Sequence, residues 1–198
     1  MKHVVIFARR PQLGRVKTRL ARDIGAVEAL RFYRSTLAMV TRRLAADRGW
    51  NTWLGLTPDE TIFDNRLYPP MAGRLPQGGG NLGDRMARCL ARFGHDPAII
   101  VGSDIPDIDR SHIAAAFDAL HRNDLVFGPS GDGGYWLVGA AQGVRVGGLF
   151  DDVRWSTEHA LADTLENVRS GVRVGMLEEL ADIDDGDAYA AWRHRVRR

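Results

Sequence analysis

The sequence predicts an α/β protein, a three-layer α/β/α sandwich with a mostly parallel sheet. Short apolar runs typical of strands alternate with stretches that have the apolar spacing of amphipathic helices. The run AIIV at 98–101 is continuously apolar, as in a central parallel strand that is covered on both faces. The 198 residues suit one domain over 1–198, because neither a linker nor an internal repeat divides them.

The first half of the chain alternates strand, helix and strand. HVVIFA at 3–8 predicts a buried strand, and TWLGL at 52–56 predicts a second one. Between them, 26–47 is the clearest helix, because its apolar residues recur at i, i+3 and i+4. Residues 57–81 hold several prolines and glycines, so we expect a long irregular stretch of the kind that often serves function.

The second half continues the alternation. Helices are predicted at 82–93, from a cap at Asp109 or Ser111 to about 121, at 157–168 with Ser156 or Thr157 as cap, and at 185–195. Strands are predicted at 98–101, 125–127, 135–138 and 172–176.

Composition and charge exclude several classes of protein. With 27 Lys plus Arg against 25 Asp plus Glu, the net charge is only +2, and the basic tail 193–198 is predicted to be a solvated helix end. We therefore expect no nucleic-acid partner. No apolar run approaches the roughly 20 residues that span a bilayer, so no membrane partner is expected either. The single Cys89 indicates a reducing, cytoplasmic location, and the six His show no zinc-ligand spacing.

Chemistry is expected in the loops that follow the strands, because ligands of such folds bind outside the carboxyl ends of the strands. The first loop, 9–19, reads RRPQLGRVKTR. Its backbone N–H groups and cations suit phosphate, although a solvated basic loop is the open alternative. It is not a Walker A loop, because Val16 stands where that motif has Gly before its Lys. Lys17 is one of only two lysines in this chain, which favours a need for a compact point charge.

The second loop is rich in glycine. Gly78, Gly80 and Gly83 formally match a dinucleotide-binding fingerprint, and Asp104 lies about 20 residues further on. That fingerprint needs a strand immediately before it, and the prolines that precede this loop argue against a central strand. We favour a loop that shapes a nucleotide pocket over a Rossmann site, and a plain helix-initiating turn stays open.

Three carboxylates are candidates for a metal site. Asp104 directly follows the predicted strand at 98–101, where one or two carboxylates plus substrate phosphates typically hold Mg²⁺; a turn or capping role is the alternative. Asp182 and Asp184 point to the same side if their segment is extended, and together with Asp104 they could complete such a site.

A further glycine-rich segment at 128–136 enters a predicted strand. Gly133 and Gly134 allow a ligand to approach the backbone closely. Asp132 either contacts substrate or stabilises the turn, and the sequence leaves the two equally open.

Six segments in this order resemble the pattern of one known family. FARRPQLGRVKTRL, QGGGNLGDRM, VGSDIPDID, FGPSGDGGYWLVG, LFDDVRWST and ADIDD are similar to the selenodomain-associated transferases. That bacterial group is of GT-A type and is similar to MobA-like and phospholactate guanylyltransferase-like nucleotidyltransferases and to nucleotide-sugar glycosyltransferases. The resemblance covers about residues 3–192 and implies a nucleotide-diphospho-sugar transferase fold. The family often has Lys at position 9 and Asp at position 81, where this chain has Arg9 and Asn81.

The resemblance also implies roles for individual residues. Lys17 and Arg19 would lie on phosphates, and the loop at 77–82 would read the base. Asp104 would hold the metal ion, with Asp182 and Asp184 as the second carboxylate group. The expected nucleotide-binding residues are Ala8, Arg9, Pro11, Gly14, Lys17, Gln77, Gly80, Asn81 and Leu82. The expected substrate-binding residues are Asp132, Gly133, Gly134 and Tyr135.

We therefore expect a transferase that depends on Mg²⁺ or Mn²⁺, with Lys17, Arg19 and Asp104 as catalytic residues. A nucleotidyltransferase would use a nucleoside triphosphate, whereas a glycosyltransferase would use a nucleotide sugar. Either would need a small-molecule acceptor that the sequence does not identify, and a homodimer is compatible with the chain. The alternatives are a non-catalytic nucleotide-binding or sensing module and a Rossmann dinucleotide-binding protein.

Overall fold

A seven-stranded sheet forms the centre of the computed structural model, which describes residues 1–64, 68 and 73–196. The strands are β1 (His3–Arg9), β2 (Asn51–Thr57), β3 (Gly73–Pro76), β4 (Ala98–Gly102), β5 (Leu125–Pro129), β6 (Tyr135–Ala140) and β7 (Val174–Met176). The helices are α1 (Leu20–Ile24), α2 (Ala26–Ala45), α3 (Leu82–Arg92), α4 (Arg110–Leu120), α5 (Ala160–Glu166) and α6 (Gly186–Val196). None of the described helices is both long enough and apolar enough to cross a membrane.

The sheet has the strand order β3-β2-β1-β4-β6-β5-β7. β6 is antiparallel to both of its neighbours, and every other neighbouring pair is parallel. Helices α2 and α4 pack on one face of the sheet, and α3 and α5 pack on the other. The predicted three-layer sandwich with a mostly parallel sheet is therefore confirmed.

Burial on both faces explains why β1 is continuously apolar. Val4 and Ile6 are fully buried against the face that carries α2, whereas Val5 is fully buried against the face that carries α3. Burying a Val or Ile side chain contributes roughly 1.5–3 kcal/mol, and the alternating strand geometry delivers successive residues to opposite cores. β1 therefore anchors both layers, and the loop that follows it leaves from a rigid strand end.

The stretch 57–81 is the main departure from the predicted elements. Strand β3 lies within it, at the edge of the sheet, where Pro76 is tolerated because an edge strand has one unpaired side. A short 3₁₀ helix, Asp59–Phe63, also forms there. Residues 65–67 and 69–72 of this stretch lie outside the described residues, as do 197 and 198 of the basic tail.

Two helices also differ from the prediction. α5 begins at Ala160 after His159, and neither Ser156 nor Thr157 caps it. Ser156 has a φ of 62°, and the Thr157 hydroxyl donates to the carbonyl of Arg154 instead. Helix α1 was not predicted, because it is too short to show apolar spacing. The predicted cap at Asp109 is confirmed, since its carboxylate accepts from the N–H groups of Ser111 and His112.

A buried tyrosine of α2 fastens the end of β1. The Tyr33 hydroxyl accepts from the Arg9 N–H at 2.8 Å and donates to the Arg9 carbonyl at 2.9 Å. Ser103, which follows β4, donates to the same hydroxyl at 3.4 Å. Burial raises the pKa of Tyr33 to about 12, so the phenol keeps its proton and remains a donor.

We expect Tyr33→Phe to lower the free energy of unfolding by about 1–3 kcal/mol, because it removes the hydroxyl that pairs with the N–H and the carbonyl of Arg9. The matched control is Thr36→Val on the same helix, since the buried Thr36 hydroxyl has no hydrogen-bond partner among the described residues. Urea denaturation of the wild type and both variants measures the free energy of unfolding. An unchanged midpoint for Tyr33→Phe would show that the hydrogen bonds of the Tyr33 hydroxyl contribute nothing to stability.

Candidate active site

Three separate parts of the chain meet at the carboxyl edge of the sheet. Lys17 belongs to the loop after β1, and Asp104 is the second residue after β4. Asp182 and Asp184 lie in the segment between β7 and α6. The structure thus brings together the lysine and the three carboxylates that the sequence analysis selected.

The Lys17 ammonium lies between two carboxylates. Its Nζ is 2.9 Å from Asp104 Oδ2 and 2.6 Å from Asp184 Oδ1, and the side chain is only 4% exposed. Burial acts to lower the pKa of Lys17, but the charges of the two carboxylates outweigh it and raise the pKa. The side chain is therefore a permanent cation in a buried position.

The backbone at Lys17 has an uncommon conformation for a residue with a side chain. Its φ of 47° lies in the left-handed region, which costs energy for any residue except glycine. The Lys17 carbonyl accepts from the Ala21 N–H at 2.9 Å, at the start of α1. Strain of this kind persists where the surroundings hold it, and here the ion pairs on Nζ do so.

The three carboxylates form a cluster that fits a divalent cation. Asp104, Asp182 and Asp184 each offer an oxygen atom, and these atoms all lie within 4.8 Å of one another. Burial and the charges of Asp184 and Asp104 together raise the pKa of Asp182 to about 6, against the opposing charge of Lys17. The single positive charge of Lys17 does not balance three carboxylates, so the cluster favours a further cation. Hard carboxylate oxygens are the ligands that Mg²⁺ and Mn²⁺ prefer.

Arg19 lies at the rim of this cluster. Its guanidinium is 3.6 Å from Asp184 Oδ2, and its side chain is 61% exposed. An exposed pair of this length contributes little to stability. Arg19 is therefore free to reorient, in contrast to Lys17.

Two cavities meet at Asp104. The first, which we call the Lys17 cavity, has a volume of about 420 Å³. Four cationic side chains line it, and Asp104 is the one carboxylate among its lining residues in the part of the chain that the structure describes. These cations are Arg9, Arg15, Lys17 and Arg85.

The Lys17 cavity contains part of the predicted nucleotide site. Ala8, Arg9, Lys17, Gln77 and Leu82 line it. The other predicted members, Pro11, Gly14, Gly80 and Asn81, line neither of the two cavities. The structure thus divides the predicted set into residues that can reach a ligand directly and residues that shape the loops.

Gln77 is tied to the ends of two strands. Its side-chain amide donates to the carbonyls of Gly55 at 2.8 Å and Ala8 at 3.3 Å, and its backbone N–H donates to Leu56 at 3.0 Å. These bonds give the residue a positioning role at the wall of the cavity. Base recognition by its amide N–H groups would require breaking them.

The glycine-rich loop is a helix-initiating turn, one of the alternatives that the sequence left open. Asn81 caps α3 in a capping box: its side chain accepts from the Asp84 N–H, and the Asp84 carboxylate accepts from the Asn81 N–H. Gly80 has a φ of 92°, which favours glycine at that position. The strand before the loop is the edge strand β3, whereas a Rossmann fingerprint follows the first central strand.

The second cavity, which we call the Trp136 cavity, has a volume of about 310 Å³. Its lining includes the apolar side chains of Phe7, Met86 and Trp136 and the three carboxylates of Asp104, Asp132 and Asp182. No Lys, Arg or His is among its lining residues within the described ranges. The cavity therefore repels anions and suits a neutral or cationic molecule with an apolar body.

Three of the four predicted substrate-binding residues, Asp132, Gly134 and Tyr135, line this second cavity. Gly133 does not, because its Cα packs against the chain at Glu158, where a Cβ would lie 2.1 Å from a carbonyl oxygen. Asp132 also accepts from the Ser130 hydroxyl at 2.6 Å and from the Gly134 N–H at 2.9 Å. It therefore both stabilises the turn and faces the cavity.

Sequence reasoning missed several residues of the site. Arg85 lies one turn into α3 and lines the Lys17 cavity. Its position three residues after Leu82 could have predicted this, because residues i and i+3 lie on the same face of a helix. Trp136 is buried in the core, and both it and Trp155 also line the Trp136 cavity. The buried Trp155 Nε1 has no hydrogen-bond partner among the described residues. No local sequence signal distinguishes such a tryptophan from one in the core.

One protein family matches this chain over more than half of its length. The model of a family described as "Uncharacterized protein conserved in bacteria (DUF2064)" matches residues 39–157. No curated protein matches the sequence.

Solved structures share the fold over almost the whole chain. A protein from Desulfovibrio desulfuricans G20, provisionally described as a nucleotide-diphospho-sugar transferase, has a TM-score of 0.85 and 25% identity, covering 99% of this chain and 95% of that one. CMP:2-keto-3-deoxy-manno-octonic acid synthetase, complexed with CTP, has a TM-score of 0.58 and 12% identity, covering 99% and 98%. Rv0371c from Mycobacterium tuberculosis H37Rv, in complex with manganese, has a TM-score of 0.56 and 16% identity, covering 96% of each chain. The fold is that of the nucleotide-diphospho-sugar transferases.

Proposed function

The chain belongs to the DUF2064 family and has the fold of nucleotide-using transferases, and from this premise we propose that it is a metal-dependent nucleotidyltransferase. Within that family we assign it to the selenodomain-associated transferases. The observation that carries the proposal is the buried Lys17 ammonium between Asp104 and Asp184, at the border of two cavities of opposite charge.

The charge of the Lys17 cavity favours a triphosphate donor. Four cationic side chains line the cavity, and a nucleoside triphosphate carries more negative charge than a nucleotide sugar. The complex of a structural neighbour with CTP supports a nucleotide in this fold. Glycosyl transfer from a nucleotide sugar is the second candidate, favoured by the likeness to the Desulfovibrio protein.

In the proposed reaction, an acceptor oxygen or nitrogen forms a bond to the α-phosphorus while the bond from that phosphorus to the leaving diphosphate breaks. Lys17, Arg9 and Arg85 bind the phosphates and offset the charge that develops on the leaving pyrophosphate. The acceptor gives up its proton to a carboxylate of the Trp136 cavity, and Asp132 is our candidate because it lies outside the metal cluster.

Asp104, Asp182 and Asp184 are the residues that would hold Mg²⁺ or Mn²⁺. When bound, the cation supplies positive charge that polarises the phosphoryl oxygens and orients the donor. The manganese complex of Rv0371c, a structural neighbour, supports a metal ion in this fold. The protein's own contribution is to orient the donor and to keep the cations close to the phosphates.

The Trp136 cavity would hold the acceptor. Its carboxylates and its lack of basic lining residues within the described ranges disfavour a phosphorylated or carboxylated acceptor. Its aromatic side chains favour an apolar body and tolerate a positive charge. We therefore propose a neutral or cationic alcohol or amine.

Nucleotide binding is tested by thermal denaturation with nucleoside triphosphates and nucleotide sugars, with and without Mg²⁺. We expect triphosphates with Mg²⁺ to raise the melting temperature most, since a ligand at 100 times its Kd adds about 2.7 kcal/mol. Asp104→Asn should lose the part of the shift that depends on Mg²⁺, whereas the exposed control Asp118→Asn should keep it. If no nucleotide shifts the melting temperature of the wild type, the nucleotide assignment is wrong.

The acceptor class is tested with three molecules that share a 4-hydroxyphenyl group: neutral tyrosol, cationic tyramine and anionic 4-hydroxyphenylacetate. With no divalent cation present, we expect tryptophan fluorescence titrations to show at least about tenfold weaker binding of the anion, because the carboxylates of the cavity repel it. Asp132→Asn should reduce the difference in affinity between tyramine and 4-hydroxyphenylacetate. Equal or tighter binding of the anion would overturn the acceptor class and leave the donor assignment standing.

Lys17→Met tests the central ion pairs, because it keeps much of the aliphatic stem and removes the charge. We expect pyrophosphate release to fall by about 10²–10³-fold, as when one preorganised donor is removed. Mn²⁺ alone should bind more tightly than to the wild type, because the ammonium no longer competes for Asp104 and Asp184. Isothermal titration measures this second effect, with Lys2→Met, the other lysine, as control. Unchanged Mn²⁺ affinity together with full activity would remove Lys17 from the site.

A further inference from the structure

A third cavity lies at the opposite edge of the sheet. It has a volume of about 710 Å³, and we call it the Arg145 cavity. Its wall is formed by α3, by Gly94 and His95 before β4, by the segment 143–147 after β6, and by Arg169. Asp104 follows the other end of β4, so this cavity and the candidate active site are on different edges of the sheet.

The lining of this cavity is basic. Arg88, Arg145, Arg169 and His95 contribute to it, and none of its lining residues in the part of the chain that the structure describes is acidic. None of the three guanidinium groups forms an ion pair with a described residue; Arg88 and Arg169 donate only to backbone carbonyls. By contrast, Arg154 and Arg173 elsewhere on the surface pair with Asp163 and Asp124.

Three arginines that form no ion pair with a described residue contribute to the lining of this cavity, so its potential is positive and favours an anion. Guanidinium groups bind phosphate oxygens with two parallel hydrogen bonds, and several groups around one pocket can hold more than one phosphate. Ala87, Ala91 and Val144 add an apolar part to the wall. A concave shape with an apolar part suits a small molecule.

We propose that the Arg145 cavity is a second anion site, which binds a small molecule that carries two or more linked phosphate groups. This site lies outside the residues that would hold the donor, the acceptor and the metal ion. The binding itself does not depend on the proposed function.

Arg88 connects the cavity to the loop of the candidate active site. Its Nη1 donates to the Gln77 carbonyl at 2.7 Å, and its Nη2 donates to the Gly79 carbonyl at 3.1 Å. Gln77 also lines the Lys17 cavity. An anion that draws Arg88 toward the Arg145 cavity competes with these two carbonyls and loosens the loop. The second site is thereby coupled to the donor site, and this coupling rests on the proposed function.

The experiment uses pyrophosphate as the probe, titrated calorimetrically against the full chain. We expect the wild type to bind pyrophosphate at two sites, the Arg145 cavity and the Lys17 cavity. The double variant Arg145→Ala/Arg169→Ala should bind it at least about tenfold more weakly at the Arg145 cavity. Lys17→Met should leave binding at the Arg145 cavity intact. Arg92→Ala/Arg122→Ala, which removes two exposed arginines outside the cavity, is the matched control. Melting temperatures near that of the wild type show that the variants fold.

The outcomes distinguish the second site from the donor site. If Arg145→Ala/Arg169→Ala binds pyrophosphate as the wild type does, the proposed second site is wrong. It is also wrong if the wild type binds no pyrophosphate. A single site that Lys17→Met removes also overturns it and leaves the proposed function standing. A single site that only the Arg145→Ala/Arg169→Ala variant removes supports the second site and counts against the nucleotide assignment.

Coupling has its own readout in hydrogen exchange. In the Lys17→Met protein, saturating pyrophosphate should speed exchange of the amides at 77–81, because Arg88 no longer holds the loop carbonyls. If pyrophosphate binds and the exchange of these amides stays unchanged, the coupling is wrong, whereas the second binding site still stands.

Discussion

The ion pairs of one buried ammonium hold the candidate site together. Burial alone would favour the neutral form of a lysine. Lys17 keeps its charge because its ammonium lies 2.6–2.9 Å from the carboxylates of Asp104 and Asp184. Because these residues come from three separate segments, the same contacts fix the loop after β1, the loop after β4 and the segment before α6 relative to one another. The division of the edge of the sheet into two cavities follows from that arrangement.

Much of the fold could be predicted because its signals are local. A continuously apolar run such as 98–101 predicts a strand with two covered faces, and the rule on strand ends then selects Asp104. The contact from Lys17 to Asp184 could not be read from spacing, because it joins positions 167 apart in the chain. Edge strand β3 was missed because the same prolines that exclude a central strand are tolerated at an edge. The sequence also does not reveal that Trp136 and Trp155 line a cavity, because a tryptophan that packs in a core and one that lines a cavity look alike in sequence.

The two cavities at Asp104 share a wall but differ in charge. Under the proposed function, the cationic Lys17 cavity would hold the phosphates and the acidic Trp136 cavity would exclude them, which would orient a triphosphate. The match to the family model covers residues 39–157, which include Asp104 and most of the wall of the Trp136 cavity but exclude Lys17, Asp182 and Asp184. A relative that matches over those positions alone can therefore share the scaffold and lack the charged centre.

The separation between Lys17 and Asp184 also bears on how the protein is made. The ribosome synthesises the loop after β1 long before the segment that precedes α6. Until that segment emerges, the lysine has at most one of its two carboxylates, and the acidic cluster has only Asp104. The nascent chain therefore cannot form the candidate site, and a protein truncated before residue 182 keeps all seven strands but not the site. Under the proposed function, nucleotide binding would thus report that the segment with Asp182 and Asp184 has been synthesised and has folded against Lys17.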